Sequence, residues 1–340
     1  MKFMDVLKQQ REEAAPYMKV GFARKVQSFP GRIEKWVDTW PNSESATDII
    51  RCSGLYYMCP REFVLNYWRP EANNSFDFNS YLRMGVGTYL HSFLQDVILG
   101  ISGVLYGNWA SSDESTVRGF MPDPEKQLDA FVQQRPLPYK YVEDRVWDEH
   151  SRLRGHTDGI IDKARFEMFC ELVKDGCEWQ DILPKLGELK PLSSGSSLLE
   201  IKTTSSRLLG NINSQSDIAG YYQMQAVAYQ KLKGIDSTVF WYFERNDLAS
   251  KTIMHEYSES WWDEIKKKVD TVWTAIRDHK LPDSFMKCVS STDARAKKCV
   301  HAETCWKPPL GPDAMEEFVA TCKAAQPERE WLDLSSWGPL

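Results

Sequence analysis

Gly155-His156-Thr157-Asp158-Gly159-Ile160-Ile161 and Leu198-Leu199-Glu200-Ile201-Lys202-Thr203-Thr204 are the two stretches on which the fold turns. The first sets one acidic residue in an apolar run. The second carries a Glu-x-Lys. Side chains alternate along a strand with period two, so Glu200 and Lys202 share one face. Asp158 lies in a run able to pair beside them. Two carboxylates on one sheet surface repel unless a cation lies between them. Oxygen ligands with open water positions suit Mg²⁺ or Mn²⁺. A lysine alongside can hold or help deprotonate a metal-bound water, or stabilise a developing oxyanion. These residue types belong to metal-assisted hydrolysis of a phosphodiester. Alone, the same pattern also describes two amphipathic strands with solvated charges.

Outward from these runs, 139–147, 152–163 and 197–204 read as strands. Residues 165–196 form an insertion, helical at first and ending in a Ser- and Gly-rich linker over 190–197. The spacing predicts a helix over 218–232 closed by Gly234, strands over 238–245 and 251–257 with Asn246-Asp247 at the turn, and a long helix over 258–280. Strand, strand, strand, helix, strand, strand predicts an α/β fold with a mixed central sheet flanked by helices. Upstream, helices are expected over 3–14, 46–68 and 80–100. Residues 107–140 read as loops with a short helix over 124–134. The tail after Leu281 reads as irregular.

The chain has 340 residues, 42% hydrophobic and 26% charged, with a net charge of −6. This is the composition of a globular protein. The acidic balance excludes a strongly basic, non-specific nucleic-acid binder but allows an acidic metal site beside a local basic groove. No apolar run reaches the roughly 20 residues that span a membrane. The start, Met1 to Val6, lacks the apolar stretch of a secretory signal. The expectation is a cytoplasmic protein. Disulfides are not expected there, so the eight cysteines gain weight as metal ligands.

Three further groups stand near the two runs in the predicted order. Gln225 and Tyr229 lie four apart on the 218–232 helix and share a face. His91, in Gly87-Thr88-Tyr89-Leu90-His91, could add an imidazole ligand to the same metal. Cys288, Cys299 and Cys305 lie within 18 residues of a polar tail, with Cys59 far upstream. A tetrathiolate set suits zinc or an iron–sulfur cluster and would tie the two ends of the chain together.

Together these pieces resemble the RecB-like branch of the PD-(D/E)XK nuclease superfamily. The order matches over about residues 46–306. It runs Ser53-Gly54-Leu55 with Cys59-Pro60-Arg61-Glu62-Phe63, Gly87 to His91, Gly155 to Asp158, Glu200-Ile201-Lys202, Gln225 to Tyr229, and then the cysteines. The cysteine set looks like that of the iron–sulfur exonucleases, similar to the CRISPR-associated and AddB-type nuclease domains. The family's downstream pattern is Cys-x2-Cys-x5-Cys. Cys299 and Cys305 keep the five-residue gap, whereas ten residues separate Cys288 from Cys299. Loop closure cost grows slowly with length, so such an insertion is tolerable. Cys322 is an alternative ligand, and His301 another.

The resemblance implies a restriction-endonuclease-like fold with iron–sulfur-stapled terminal segments. It implies an N-terminal helical extension (1–45), a nuclease domain (46–306) and a C-terminal tail (307–340). It implies a Mg²⁺- or Mn²⁺-dependent DNA exonuclease acting on single strands or ends, in recombination, repair or phage replication. Asp158, Glu200, His91 and the Ile201 carbonyl would hold the metal. Lys202 would orient or deprotonate water, and Gln225 and Tyr229 would position the phosphate or the lysine. Cys59, Cys288, Cys299 and Cys305 would hold a 4Fe–4S cluster, with zinc as the alternative. Arg61, Arg83, Arg154 and Arg207 are candidate phosphate contacts, and Trp68, Tyr81 and Trp147 candidate stacking residues. The insertion at 165–196 would shape DNA entry. No Gly-x-x-x-x-Gly-Lys-Ser/Thr loop is present, so the chain would be a stand-alone nuclease or a subunit that borrows its motor. Two rival readings are an alkaline-exonuclease-like enzyme on duplex ends and a non-catalytic DNA-end-binding subunit.

Overall fold

This computed structural model describes residues 47–70, 87–111, 116–190, 192, 195–244, 249–283, 288, 290–308, 311–335 and 337–338. The expected 3–14 helix, Arg83, Tyr81 and the Asn246-Asp247 turn lie outside the described residues.

Among the described residues, ten strands form two sheets. The larger, of seven strands, has the order β10-β9-β8-β7-β2-β3, with β4 also paired to β2. Its strands are β2 (Leu105–Ser111), β3 (Thr116–Phe120), β4 (Tyr139–Val142), β7 (Gly159–Asp162), β8 (Ser196–Thr204), β9 (Ser237–Glu244) and β10 (Ser250–Glu256). β8 and β9 are parallel, and β7 runs antiparallel to β8. The smaller sheet joins β1 (Ile50–Arg51), β6 (Leu153–Thr157) and β5 (Asp144–Asp148). The architecture is mixed α/β, with helices on both faces of a mixed sheet.

The pleat of β8 and β9 divides the interior. Leu199, Ile201, Val239, Trp241 and Phe243 face one core. That core also holds the π-helical Phe93–Leu99 stretch of α2 (87–102), and α4 (Lys163–Lys174) and α5 (Trp179–Gly187). Leu198 faces the other core, with α7 (Gly220–Lys233) and α8 (Glu259–Arg277). β9, Ser-Thr-Val-Phe-Trp-Tyr-Phe-Glu, is buried along its whole length. Its β-branched and aromatic residues suit a strand covered on both sides. α7 ends where Gly234 adopts φ +65° and its N–H returns to the carbonyls of Gln230 and Lys231. This left-handed cap is easiest for glycine.

Several sequence expectations change. The 46–68 segment is not one helix. It contains β1, a 3₁₀ turn (Cys52–Tyr57), and then α1 (Pro60–Trp68). Pro60 keeps Cys59 extended and starts the helix at its first position. The 139–147 strand breaks at Glu143 into β4 and β5, which lie in different sheets. The expected loops over 107–140 contain β2, β3 and β4 besides α3 (Pro124–Val132), because Trp109 and Leu105 bury fully against the core. The 165–196 segment is no peripheral appendage. Phe166, Phe169, Trp179, Ile182 and Leu186 make its helices α4 and α5 a covering layer of the main sheet. The tail after Leu281 contains α9 (Ala302–Trp306) and α10 (Pro312–Ala324). Met315, Val319, Cys322 and Leu334 join the core that α7 and α8 share with Leu198. Arg329 and Gln326 bond the carbonyls of Tyr67 and Trp68, at 2.5 and 2.8 Å. Among the described residues, no helix is long and apolar enough to cross a membrane.

Candidate functional site: a buried carboxylate–lysine centre

β6 and β7 are consecutive in the chain but belong to different sheets, and Asp158 is the residue between them. β7 starts at Gly159, opposite Leu199, so it gives β8 no strand partner beyond that point. The Asp158 carboxylate takes over there: its Oδ2 accepts the Ile201 N–H at 2.7 Å. The Asp158 carbonyl accepts from the Gln95 side chain at 2.7 Å. Asp158 is therefore fixed from both its backbone and its side chain, at the point where the chain crosses between sheets.

Glu200 points from β8 to the α7 side and is 1% exposed. Its Oε2 accepts from Lys202 Nζ at 2.5 Å and from the Gln225 amide at 3.2 Å. Gln225 also reaches the Tyr229 hydroxyl at 3.3 Å. The four-residue spacing on α7 thus brings Gln225 to the carboxylate and Tyr229 to Gln225. The other Glu200 oxygen, Oε1, is buried with no hydrogen-bond partner among the described residues. Leaving such an atom unsatisfied is costly, so it is a natural place for a ligand.

Gly155 explains how Tyr229 fits. A Cβ at Gly155 would lie 2.4 Å from the Tyr229 ring and 2.5 Å from its hydroxyl. The Gly-x-x-Asp spacing therefore combines a backbone notch for the tyrosine with the carboxylate three residues later.

The charges are unequal. Burial raises the Glu200 carboxyl, and Asp158 raises it further, against the pull of Lys202. Burial also works to raise Asp158, but the His91 hydrogen bond and the Lys202 charge outweigh it and hold Asp158 below its usual range. Burial works to lower Lys202, and the two carboxylates overcome it and hold the ammonium protonated. Burial pushes the Tyr229 hydroxyl up, with the Glu200 charge second, so it stays a neutral phenol. Burial and the shared cation thus push the titrations of the two carboxylates apart.

His91 approaches from α2, with Nδ1 3.5 Å from Asp158 Oδ1. Burial opposes its protonation, but Asp158 prevails and the imidazole pKa is raised. Glu143, which the sequence reading did not single out, completes a group with His91 and Asp158. One ligand atom from each of the three lies within 4.8 Å of the others. Burial and the Asp158 charge raise the Glu143 carboxyl. An acidic residue within an apparent strand gave no signal. What matters is that the strand breaks there, at the crossing from β4 to β5.

The other sequence candidates separate. Cys59, Cys288, Cys299 and Cys305 all line one small pocket, together with His301. Burial raises the Cys288 and Cys299 thiols, and the other pocket cysteines raise them further. The His301 backbone N–H points at the Cys299 sulfur. Cys322 does not line this pocket and lies in the core on α10. Arg61 is held at the pocket, with Nε on the Pro282 carbonyl at 2.6 Å and an Nη on the Cys305 carbonyl at 3.1 Å. Its donors thus serve the tail. Arg154 is half-buried on β6, and Arg207 is exposed at the start of α6 (Ser206–Asn211). Trp68 is fully buried, which removes it as a base-stacking surface. Trp147 has the Arg152 guanidinium over its ring at 4.7 Å.

No protein-family model matches the chain. No curated protein matches it either. Among solved structures the chain is similar to one titled "Crystal structure of SSO0001", at 14% identity and a TM-score of 0.29, over 67% of this chain and 76% of that one. A likeness this slight carries no argument about fold or function.

Proposed function

We propose that this chain is a metal-dependent DNA nuclease of the RecB-like PD-(D/E)XK kind, with a restriction-endonuclease-like core and an iron–sulfur staple. The observation that carries the reading is the convergence of Asp158, Glu200, Lys202, Gln225 and Tyr229 in one buried, hydrogen-bonded centre. The unpartnered Glu200 Oε1 and the His91–Glu143–Asp158 group supply donors that fit Mg²⁺ or Mn²⁺. His91, Glu143 and Asp158 would hold one ion, and Glu200 with the Ile201 carbonyl, which lie outside that group, would join it or hold a second. Bound there, it would supply Lewis acidity and a more acidic water.

The protein residues supply position and charge. Lys202 neutralises the carboxylates, and its ammonium donates toward water or a phosphate oxygen at the reacting face. Gln225 holds Glu200 in place, and Tyr229, seated against Gly155, holds Gln225. Arg154 and Arg207 are the remaining described candidates for phosphate contacts. Cys59, Cys288, Cys299 and Cys305 would hold the cluster, whose role is to fix the tail against α1. Four thiols lining one pocket fit an iron–sulfur cluster, with zinc as the alternative.

The test is cleavage of end-labelled single- and double-stranded DNA with Mg²⁺, Mn²⁺ or EDTA. Metal-dependent shortening of the label is expected. Intact substrate in all three conditions would move the non-catalytic, end-binding reading ahead.

A further inference from the structure

A ladder of aromatic rings leads away from Lys202, and neither Trp68 nor Trp147 belongs to it. Lys202 Nζ stands 4.9 Å above the Tyr222 ring. Tyr222 and Tyr221 lie 4.2 Å apart, and Tyr221 and Tyr57 lie 5.6 Å apart at a shallow 35° tilt. Tyr56 meets Tyr57 edge-on at 5.0 Å and Trp261 at 6.3 Å. Two distant segments build this feature, the 3₁₀ turn after β1 and the first turn of α7.

Tyr56 has a packing role, because a Cβ on Gly220 would meet its ring at 3.0 Å. Tyr57 does not share that burial and is 46% exposed. Tyr221 and Tyr222 are half-buried. Large aromatic surface left in water at the outer end of a row that starts at a catalytic group calls for a ligand with flat apolar faces. Beyond Tyr57 an open groove continues past Arg51, Gly54, Asn66 and Arg295. Arg51 is exposed, and Arg295 is held by Glu62 at 2.9 Å. Glu62 lines the groove too and offsets Arg295, so the exposed Arg51 guanidinium beside the aromatic rings is what suits a polyanion with stackable bases. Duplex bases are already stacked on each other, so the path fits a single strand.

We infer that Tyr57 and Tyr221 form a base-stacking platform that guides single-stranded DNA into the carboxylate–lysine centre, with Arg51 on the phosphate path. This rests on the nuclease reading above and names how its substrate is held. Sequence-tolerant stacking is expected, since every base has a π-face.

The test uses the full chain and a fluorescein-labelled oligo(dT) probe in EDTA, read by anisotropy. Cleavage of the same oligonucleotide with Mn²⁺ is measured in parallel. Tyr57→Ala and Tyr221→Ala should each weaken binding by about fivefold or more, the lower end of a lost base stack. Tyr57→Phe should retain binding, because the ring and not the hydroxyl carries the stack. The weakening should appear in KM more than in kcat. Circular dichroism and thermal melting identify any variant that has unfolded, and Tyr57→Phe against Tyr57→Ala then gives the comparison. If the wild type cleaves and both alanine variants bind and cleave as it does, the platform is overturned while the nuclease reading stands. If the wild type neither binds nor cleaves, both fail.

Discussion

The carboxylate centre and the cysteine pocket both join residues far apart in sequence, yet they are held by different means. At the centre, Asp158 replaces a missing strand partner for Ile201, and Lys202 and Gln225 share one oxygen of Glu200. Sheet pleat, helix spacing and a glycine notch fix every member. The cysteine pocket has no such frame. Cys288 lies outside regular structure, Cys299 ends a three-residue 3₁₀ turn, and Cys305 lies on a five-residue helix. Arg61 adds two bonds to carbonyls. The first region is preorganised by the fold, while the second, on the proposed reading, would depend on the cluster its sulfurs hold.

The sharpest way to break this contrast is Cys59→Ser. The largest effect is expected here, because in the proposed cluster Cys59 is the one upstream ligand for the segment carrying Cys288, Cys299 and Cys305. Iron content and visible absorbance should fall, and limited proteolysis should begin in the segment carrying Cys288, Cys299 and Cys305. Far-ultraviolet dichroism of the sheet should persist. Protease resistance unchanged by loss of the cluster would show that packing alone holds the tail.

Lys202→Met tests the opposite region. It removes the cation between two buried carboxylates, and breaking a buried pair costs about 3–5 kcal/mol. Urea unfolding at neutral pH without metal should show a loss of this order, and Mn²⁺ should recover part of it. A variant as stable as the wild type would mean that the carboxylates are not charged together.

His255 gives a control away from both regions. It is buried on β10 against Phe240, and burial lowers its pKa from 6.5 to about 4. The unfolded chain therefore takes up this proton first as pH falls. Its stabilising contribution is complete above pH 6.5 and is lost progressively down to about pH 4. The loss amounts to about 3 kcal/mol. His255→Leu should flatten that part of the acid limb in a stability–pH series.

The smallest effect is expected from Gly155→Ala. Its methyl group would overlap the Tyr229 ring, at a cost of about 1–3 kcal/mol. Tyr229→Ala should relieve that overlap, so a double-mutant cycle should show strong coupling between the two. Additive costs would separate the notch from the tyrosine.

Where the signal is periodic, the sequence was readable. The period-two spacing of Glu200 and Lys202 and the four-residue spacing of Gln225 and Tyr229 placed these side chains together before any coordinates. The pattern in α8 likewise predicted a long helix, found at Glu259–Arg277. What escaped depends on where the chain crosses between sheets. Glu143 sits at a break inside what reads as one strand, and Asp158 at another. No local pattern marks either break, because the two sheets meet only in three dimensions. Arg61 read as a phosphate contact because a basic residue in an isolated motif carries no information about the carbonyls it will meet. The tyrosine ladder was hidden for the same reason, since its halves lie more than 160 residues apart.

The central claim is that Asp158, Glu200 and Lys202 form a metal-dependent phosphodiesterase centre. It is tested most directly by a matched cleavage assay of wild type, Glu200→Gln and Lys202→Ala on end-labelled single-stranded DNA with Mn²⁺. The account predicts cleavage by the wild type that EDTA abolishes, and a fall of about 100-fold or more in each variant. Folded variants that cut as fast as the wild type would contradict it.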